Sequence, residues 1–133
     1  MLETSLYARD LEAAERFYGE VLGLERIAKV EGRHVFFRCG PAVLLIFNPE
    51  ATSRVPTYVG GRLVPLHGAE GSGHAAFAVG ADALDGWKRR LAERGVPVES
   101  EVDWPGGGRS LYLRDPAGNS IELATPAVWG LAR

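Results

Sequence analysis

The stretch Arg114-Asp115-Pro116-Ala117-Gly118-Asn119-Ser120-Ile121-Glu122 reads as the end of one strand, a tight turn and the start of another strand that presents a single carboxylate. Asp115 can accept hydrogen bonds from the turn backbone, Pro116 presets φ, and Gly118 or Asn119 tolerates a positive φ. Glu122 stands between Ile121 and Leu123, so period-2 alternation sends it to the face opposite both. An enclosed carboxylate at that point needs a cation or hydrogen-bonding partners, because a lone buried charge is too costly. Taken by itself, the segment is also compatible with a solvent-facing Glu on a half-exposed strand.

Working outward from this turn, the chain says the same thing twice. Residues 3 to 8 read as a strand, and Asp10 caps a helix that puts Leu11, Ala14, Phe17, Tyr18, Val21 and Leu22 on one face, closed by Gly23. Residues 74 to 79 read as a second such strand, and Asp82 caps a helix with Leu84, Trp87 and Leu91 on one face, closed by Gly95. Three extended stretches follow each helix: 25 to 31, 33 to 38 and 42 to 48, then 97 to 103, 109 to 114 and 120 to 124. The expected fold class is therefore α+β, two βαβββ modules in tandem whose sheets curl around a shared cavity. Module 1 covers about 1–48, a connecting loop rich in Gly, Pro and polar residues about 49–73, and module 2 about 74–133, all within a single domain of 133 residues.

Composition limits the partners. With 15 Lys and Arg against 17 Asp and Glu, the net charge of −2 leaves no basic stripe for nucleic acid or an anionic membrane surface. The longest apolar run, Ala42 to Phe47, is too short to span a bilayer, and the reading is a cytoplasmic protein that takes a small-molecule substrate. The single cysteine, Cys39, excludes an intrachain disulfide and a Cys-rich zinc site.

Aligning the modules on their turns, Gly40 with Gly118, sets Leu44 at the place of Glu122, and aligning the first strands from their caps sets Glu3 against His74. Three of these four positions hold residues that can ligate a metal. Singly, His74 reads as a hydrogen-bonded core histidine and Glu3 as a frayed terminal residue. Together, one imidazole and two carboxylates suit a divalent metal ion such as Fe²⁺, Mn²⁺, Zn²⁺ or Ni²⁺ and leave positions open for substrate.

Pairing Arg114 with Ser120 puts Tyr112 opposite Glu122 with Ser110 two residues along, and pairing Arg38 with Ala42 points Phe36 and His34 inward beside Leu44 and Ile46. The candidate substrate-binding residues are thus Phe36, Arg38, His67, Trp104, Arg109 and Tyr112, with His34 or Glu122 as proton acceptor. The plain alternative makes the aromatics core and the arginines and His67 solvated surface.

Three motifs carry a resemblance over nearly all of the chain: Asp10-Leu11-Glu12-Ala13-Ala14-Glu15-Arg16-Phe17-Tyr18 with Val21-Leu22-Gly23-Leu24, then Gly73-His74-Ala75-Ala76-Phe77-Ala78-Val79, then Asp115-Pro116-Ala117-Gly118-Asn119-Ser120-Ile121-Glu122-Leu123. With them the chain resembles the vicinal oxygen chelate superfamily, which includes glyoxalase I, extradiol dioxygenases, methylmalonyl-CoA epimerase, fosfomycin-resistance enzymes and bleomycin-resistance proteins. The resemblance implies metal ligands on the first and last strands of each module, matching Glu3, His74 and Glu122, and a homodimer. Leu44 at the fourth position disfavours glyoxalase I proper. The expectation is a metalloenzyme acting on vicinal oxygens, dioxygenase-like slightly ahead of lyase- or isomerase-like, with a metal-free sequestering protein of the bleomycin-resistance type as the alternative.

Overall fold

The computed structural model describes residues 1–131 and divides into two compact units, the first Met1–Gly73 and the second beginning at His74. Each unit holds a four-stranded sheet built as βαβββ. Among the described residues, no helix is long and apolar enough to cross a membrane.

In the first unit, β1 (Glu3–Tyr7) leads to α1 (Leu11–Arg16), and β2 (Glu25–Val30), β3 (His34–Cys39) and β4 (Ala42–Phe47) complete the sheet in the order β1-β4-β3-β2. The outer strand β1 runs parallel to β4 and the other pairs are antiparallel. Asp10 caps α1, its carboxylate accepting from the Ala13 amide at 3.0 Å. The helix then widens into a π-helical turn over Phe17–Val21, and Gly23 closes it at φ 76°. Ala14, Phe17 and Tyr18 are buried, and Tyr18 meets Phe37 of β3 with ring centroids 5.9 Å apart.

Register sorts the side chains of this sheet into two faces. Phe37 pairs with Leu44, Val35 with Ile46 and Leu6 with Ile46, and all are buried on the helix side. Glu3, Ser5 and Tyr7 share the opposite face with Val43, Leu45 and Phe47 and with His34, Phe36 and Arg38. The β3–β4 turn is a two-residue hairpin that pairs Cys39 with Ala42 and Arg38 with Val43, so the expected pairing of Arg38 with Ala42 is off by one. That slip corrects the site reading as well. His34 and Phe36 stand beside Leu45 and Phe47, not Leu44 and Ile46, and the residue corresponding to Glu122 is Leu45. Phe47 accepts from the Ala8 amide as Ala124 accepts from the Val79 amide, which fixes the correspondence. The cause is loop length: Asp115 to Asn119 makes a longer turn than Gly40-Pro41, so the two glycines are not equivalent.

The connecting stretch contains structure that its composition hid. Asn48 caps a short helix α2 (Pro49–Thr52), with Pro49 in the first turn, and β5 (Thr57–Val59) pairs with β6 (Arg62–Val64) across Gly60-Gly61. Both signals were in the sequence: an Asn-Pro-Glu helix start and a Gly-Gly hairpin between apolar pairs.

The second unit has β7 (His74–Ala78), α3 (Leu84–Glu93), β8 (Ser100–Asp103), β9 (Arg109–Arg114) and β10 (Ser120–Ala124), with sheet order β7-β10-β9-β8. Asp82 is not the cap of α3; it lies inside a 3₁₀ turn, Ala81–Ala83, that precedes the helix. Strand β8 begins at Ser100 rather than 97; Pro97 has no amide to add to the ladder, and the first bond to β9 is the Glu99 amide on the Tyr112 carbonyl at 2.7 Å. Leu84, Leu91, Leu111, Leu113, Ile121 and Leu123 are buried in its core. Each such side chain contributes about 1.5–3 kcal/mol on burial.

The Asp115 turn forms as its residues demand. Asp115 Oδ1 accepts from the Ala117 amide at 3.0 Å and the Asn119 amide at 2.8 Å, its Oδ2 accepts from the Asn119 side-chain amide at 2.9 Å, and Gly118 takes φ 88°. Arg114 therefore pairs with Ser120 and Tyr112 with Glu122.

Candidate functional site

Glu122 is 8 % exposed, although it points away from the Ile121 and Leu123 side of its sheet. It shares its face with His74, Ala76 and Ala78 of β7 and with Ser110, Tyr112 and Arg114 of β9. On β7 its register partner is the small Ala76. A Ser110 hydroxyl, itself fully buried, donates to Glu122 Oε2. His74 Nε2 stands 3.4 Å from Glu122 Oε1.

The imidazole is oriented by its other nitrogen. His74 Nδ1 lies 3.0 Å from the Ser120 carbonyl oxygen, which can only accept, so Nδ1 holds the proton. In the neutral ring the lone pair is then on Nε2, next to a carboxylate oxygen. Two lone pairs facing each other repel unless a proton or a cation lies between them. A divalent ion with bonds of about 2.0–2.2 Å to nitrogen and oxygen at a tetrahedral angle holds its donors about 3.4 Å apart. The pair therefore fits a divalent metal in donor type, in spacing and in the fixing of the histidine tautomer by a backbone carbonyl.

Among the described residues, no three His, Cys, Asp or Glu side chains gather into a metal-holding group. Glu3 is the first residue of β1 in the other unit, exposed, on the face that carries Ser5 and Tyr7.

Around Glu122, Tyr112 stacks on His74 with ring centroids 6.3 Å apart. Burial first, and then the Glu122 carboxylate, push its phenol pKa above the ordinary value, so Tyr112 keeps its proton at neutral pH. Trp104 donates its indole N–H to Ser110 Oγ at 2.9 Å. Arg109 lies on the opposite face, paired with Asp103 at 2.7 Å. Arg114 shares the Glu122 face, but its guanidinium is held by Glu99 at 3.1 Å and by the Gly118 carbonyl.

The first unit gathers a separate aromatic group on its open face. His34 stacks on Phe36 with centroids 4.0 Å apart and planes 11° apart, and Phe47 meets Phe36, His34 and His67 edge-on. The Tyr7 hydroxyl and His67 Nδ1 are hydrogen-bonded at 2.7 Å. Burial, with the Arg33 charge second, lowers the pKa of His34 and favours its neutral form, while its Nδ1 is buried without a hydrogen-bond partner. Arg38, at the end of the same face, is exposed and 3.6 Å from Glu25. Tyr7 and Phe47 escaped the sequence reading, although alternation from Glu3 reaches Tyr7. Finding Phe47 required the correct hairpin register.

Residues 1–123 match the model of the Glyoxalase/Bleomycin resistance protein/Dioxygenase superfamily. Among solved structures, a lactoylglutathione lyase from Agrobacterium tumefaciens is 44% identical, with a TM-score of 0.91 over 99% of this chain and 97% of that one. A glyoxalase/bleomycin resistance protein/dioxygenase from Nocardioides is 25% identical, TM-score 0.71, over 93% of this chain and 81% of that one. TioX from Micromonospora sp. ML1, 18% identical with a TM-score of 0.71 over 93% and 96% of the two chains, shares the fold. No curated protein matches the chain significantly.

Proposed function

This chain belongs to the glyoxalase/bleomycin resistance protein/dioxygenase superfamily, and we propose that it is a metal-dependent enzyme of lyase or isomerase type acting on a small organic substrate that offers neighbouring oxygens. The observation that carries the proposal is the His74–Glu122 pair: an imidazole tied at Nδ1, and a buried carboxylate 3.4 Å from its Nε2. The choice of lyase or isomerase over dioxygenase chemistry rests on the lyase that is 44% identical to this chain.

His74 and Glu122 would hold the ion, with Glu3 as the third protein ligand, contributed by the same chain or by a second copy in a homodimer. When bound, the ion supplies Lewis-acid polarisation of a substrate oxygen. The chain's own residues do the rest. Ser110 holds one oxygen of Glu122, and Tyr112, protonated at neutral pH, offers a hydrogen bond beside it. His34, favoured in its neutral form by burial, is the proposed proton acceptor, and Phe36 and His67 are proposed to contact the apolar part of a substrate. Leu45, at the position in its own sheet that Glu122 holds in the second, offers no metal donor.

The test is turnover of 2-oxoaldehyde–thiol adducts, and of a panel of oxo-acids, by protein loaded with Fe²⁺, Mn²⁺, Zn²⁺ or Ni²⁺. Glu122→Gln is expected to lower activity by more than the about 10- to 100-fold that losing an outer partner of a ligand costs. A protein that takes up no metal and instead binds an apolar metabolite would replace the enzyme reading with sequestration.

A further inference from the structure

Ser110 and Trp104 lie outside the ligand set, yet the hydrogen bond between them has only one possible direction. An indole nitrogen donates and never accepts. Ser110 Oγ, 2.9 Å from Trp104 Nε1, is therefore the acceptor of that bond, and its own proton is left for Glu122 Oε2. Ser110 is fully buried, so its bond to Glu122 forms where water does not compete. One oxygen of Glu122 is thus taken by a hydroxyl, while the other, Oε1, faces His74 Nε2.

The loop before β9 builds this chain. Trp104 is followed by Pro105-Gly106-Gly107-Gly108, and the turn closes with the Trp104 amide on the Gly108 carbonyl at 3.0 Å and the Gly107 amide on the Trp104 carbonyl at 2.9 Å. Gly107 and Gly108 take φ 113° and 85°, and a Cβ on Gly108 would lie 2.5 Å from the Val128 amide nitrogen. Three glycines fold the chain back so that the indole, at the far end of β8, reaches a serine on β9.

We propose that Trp104 and Ser110 are positioning residues that hold Glu122 as a one-oxygen metal ligand, with Oε1 reserved for the ion. The proposal rests on the metal reading above. Without the Ser110 hydroxyl, Glu122 loses the bond that fixes Oε2 and keeps only Tyr112 and His74 as neighbours, so more of its ordering falls to the moment the metal binds. Without the indole, the hydroxyl is free to turn away from Oε2.

The experiment is calorimetric titration of the full chain with Zn²⁺ alone, for the wild type, Ser110→Ala, Ser110→Thr and Trp104→Phe. Ser110→Ala is expected to weaken Zn²⁺ binding about tenfold or more, the usual effect of losing a partner of a ligating group. Ser110→Thr, which keeps the hydroxyl, should restore affinity to within about threefold, a rescue that a purely packing role would not give to the larger residue. Trp104→Phe, at a side chain 40 % exposed, should lie between the two and carries the test if the alanine variant does not fold. Variants that bind Zn²⁺ as tightly as the wild type would overturn the positioning role and leave the metal reading standing. A wild type that binds no Zn²⁺ would overturn both.

Discussion

Glu122 is buried and His34 half-buried, and their surroundings differ in kind. Glu122 meets hydroxyls and an imidazole nitrogen, whereas His34 meets aromatic rings and the Arg33 charge. Burial lowers the folded-state pKa of His34, so the unfolded chain takes up its proton first as the pH falls. Above the unfolded value of about 6.5 both states are neutral and the residue contributes nothing to pH dependence. As the pH falls through that value, the folded state loses stability, until His34 protonates in the native protein too. Urea unfolding of the wild type at a series of pH values from neutral downward should show this decline, and His34→Gln, which cannot titrate, should reduce it. An unchanged slope in the variant would assign the decline to other groups.

At the scale of elements, the turns set the positions of the functional side chains. The loop Trp104-Pro105-Gly106-Gly107-Gly108 depends on a left-handed residue that also has no room for a side chain. Gly108→Ala is expected to cost about 1–3 kcal/mol from the backbone conformation, with the approach to Val128 adding to it. A shift of the denaturant midpoint measures this, and Gly106→Ala, where a Cβ meets nothing, is the control. The Asp115 turn was legible residue by residue because its chemistry is local: one carboxylate, one proline and one glycine specify it. The helix start at Asp10 was legible for the same reason, but Asp82 looked the same and caps nothing, since Gly80 opens a 3₁₀ turn ahead of α3. The one-residue slip that put Leu44 where Leu45 belongs came from trusting a glycine rather than a loop length. A slip of one turns every side chain of a strand to its other face. The partners of Glu122 were legible as a register, with Tyr112 opposite and Ser110 nearby. The hydrogen bond from Trp104 was not, because it depends on how a triglycine loop folds.

For the whole molecule, the proposed metal binding would be linked to stability. An ion that binds the native chain and not the unfolded one stabilises it by about 2.7 kcal/mol at a hundred times its dissociation constant. Melting of the metal-loaded protein before and after treatment with a chelator should show a fall of several degrees that added Zn²⁺ or Ni²⁺ reverses. Glu122→Gln should show no such response. The repeat explains why the βαβββ order was readable in both halves: each unit carries its own closing glycine and alternating strands, so each half checked the other. The chemistry was less readable because it depends on which face each strand presents.

The most direct measurement is the metal content, by mass spectrometry, of protein purified without oxygen and without a tag, beside His74→Ala and Glu122→Gln. The expected result is close to one divalent ion per chain in the wild type, lost in both variants. A wild type that carries no metal after incubation with Fe²⁺, Mn²⁺, Zn²⁺ and Ni²⁺, or variants that keep it, would contradict the assignment of His74 and Glu122 as its ligands.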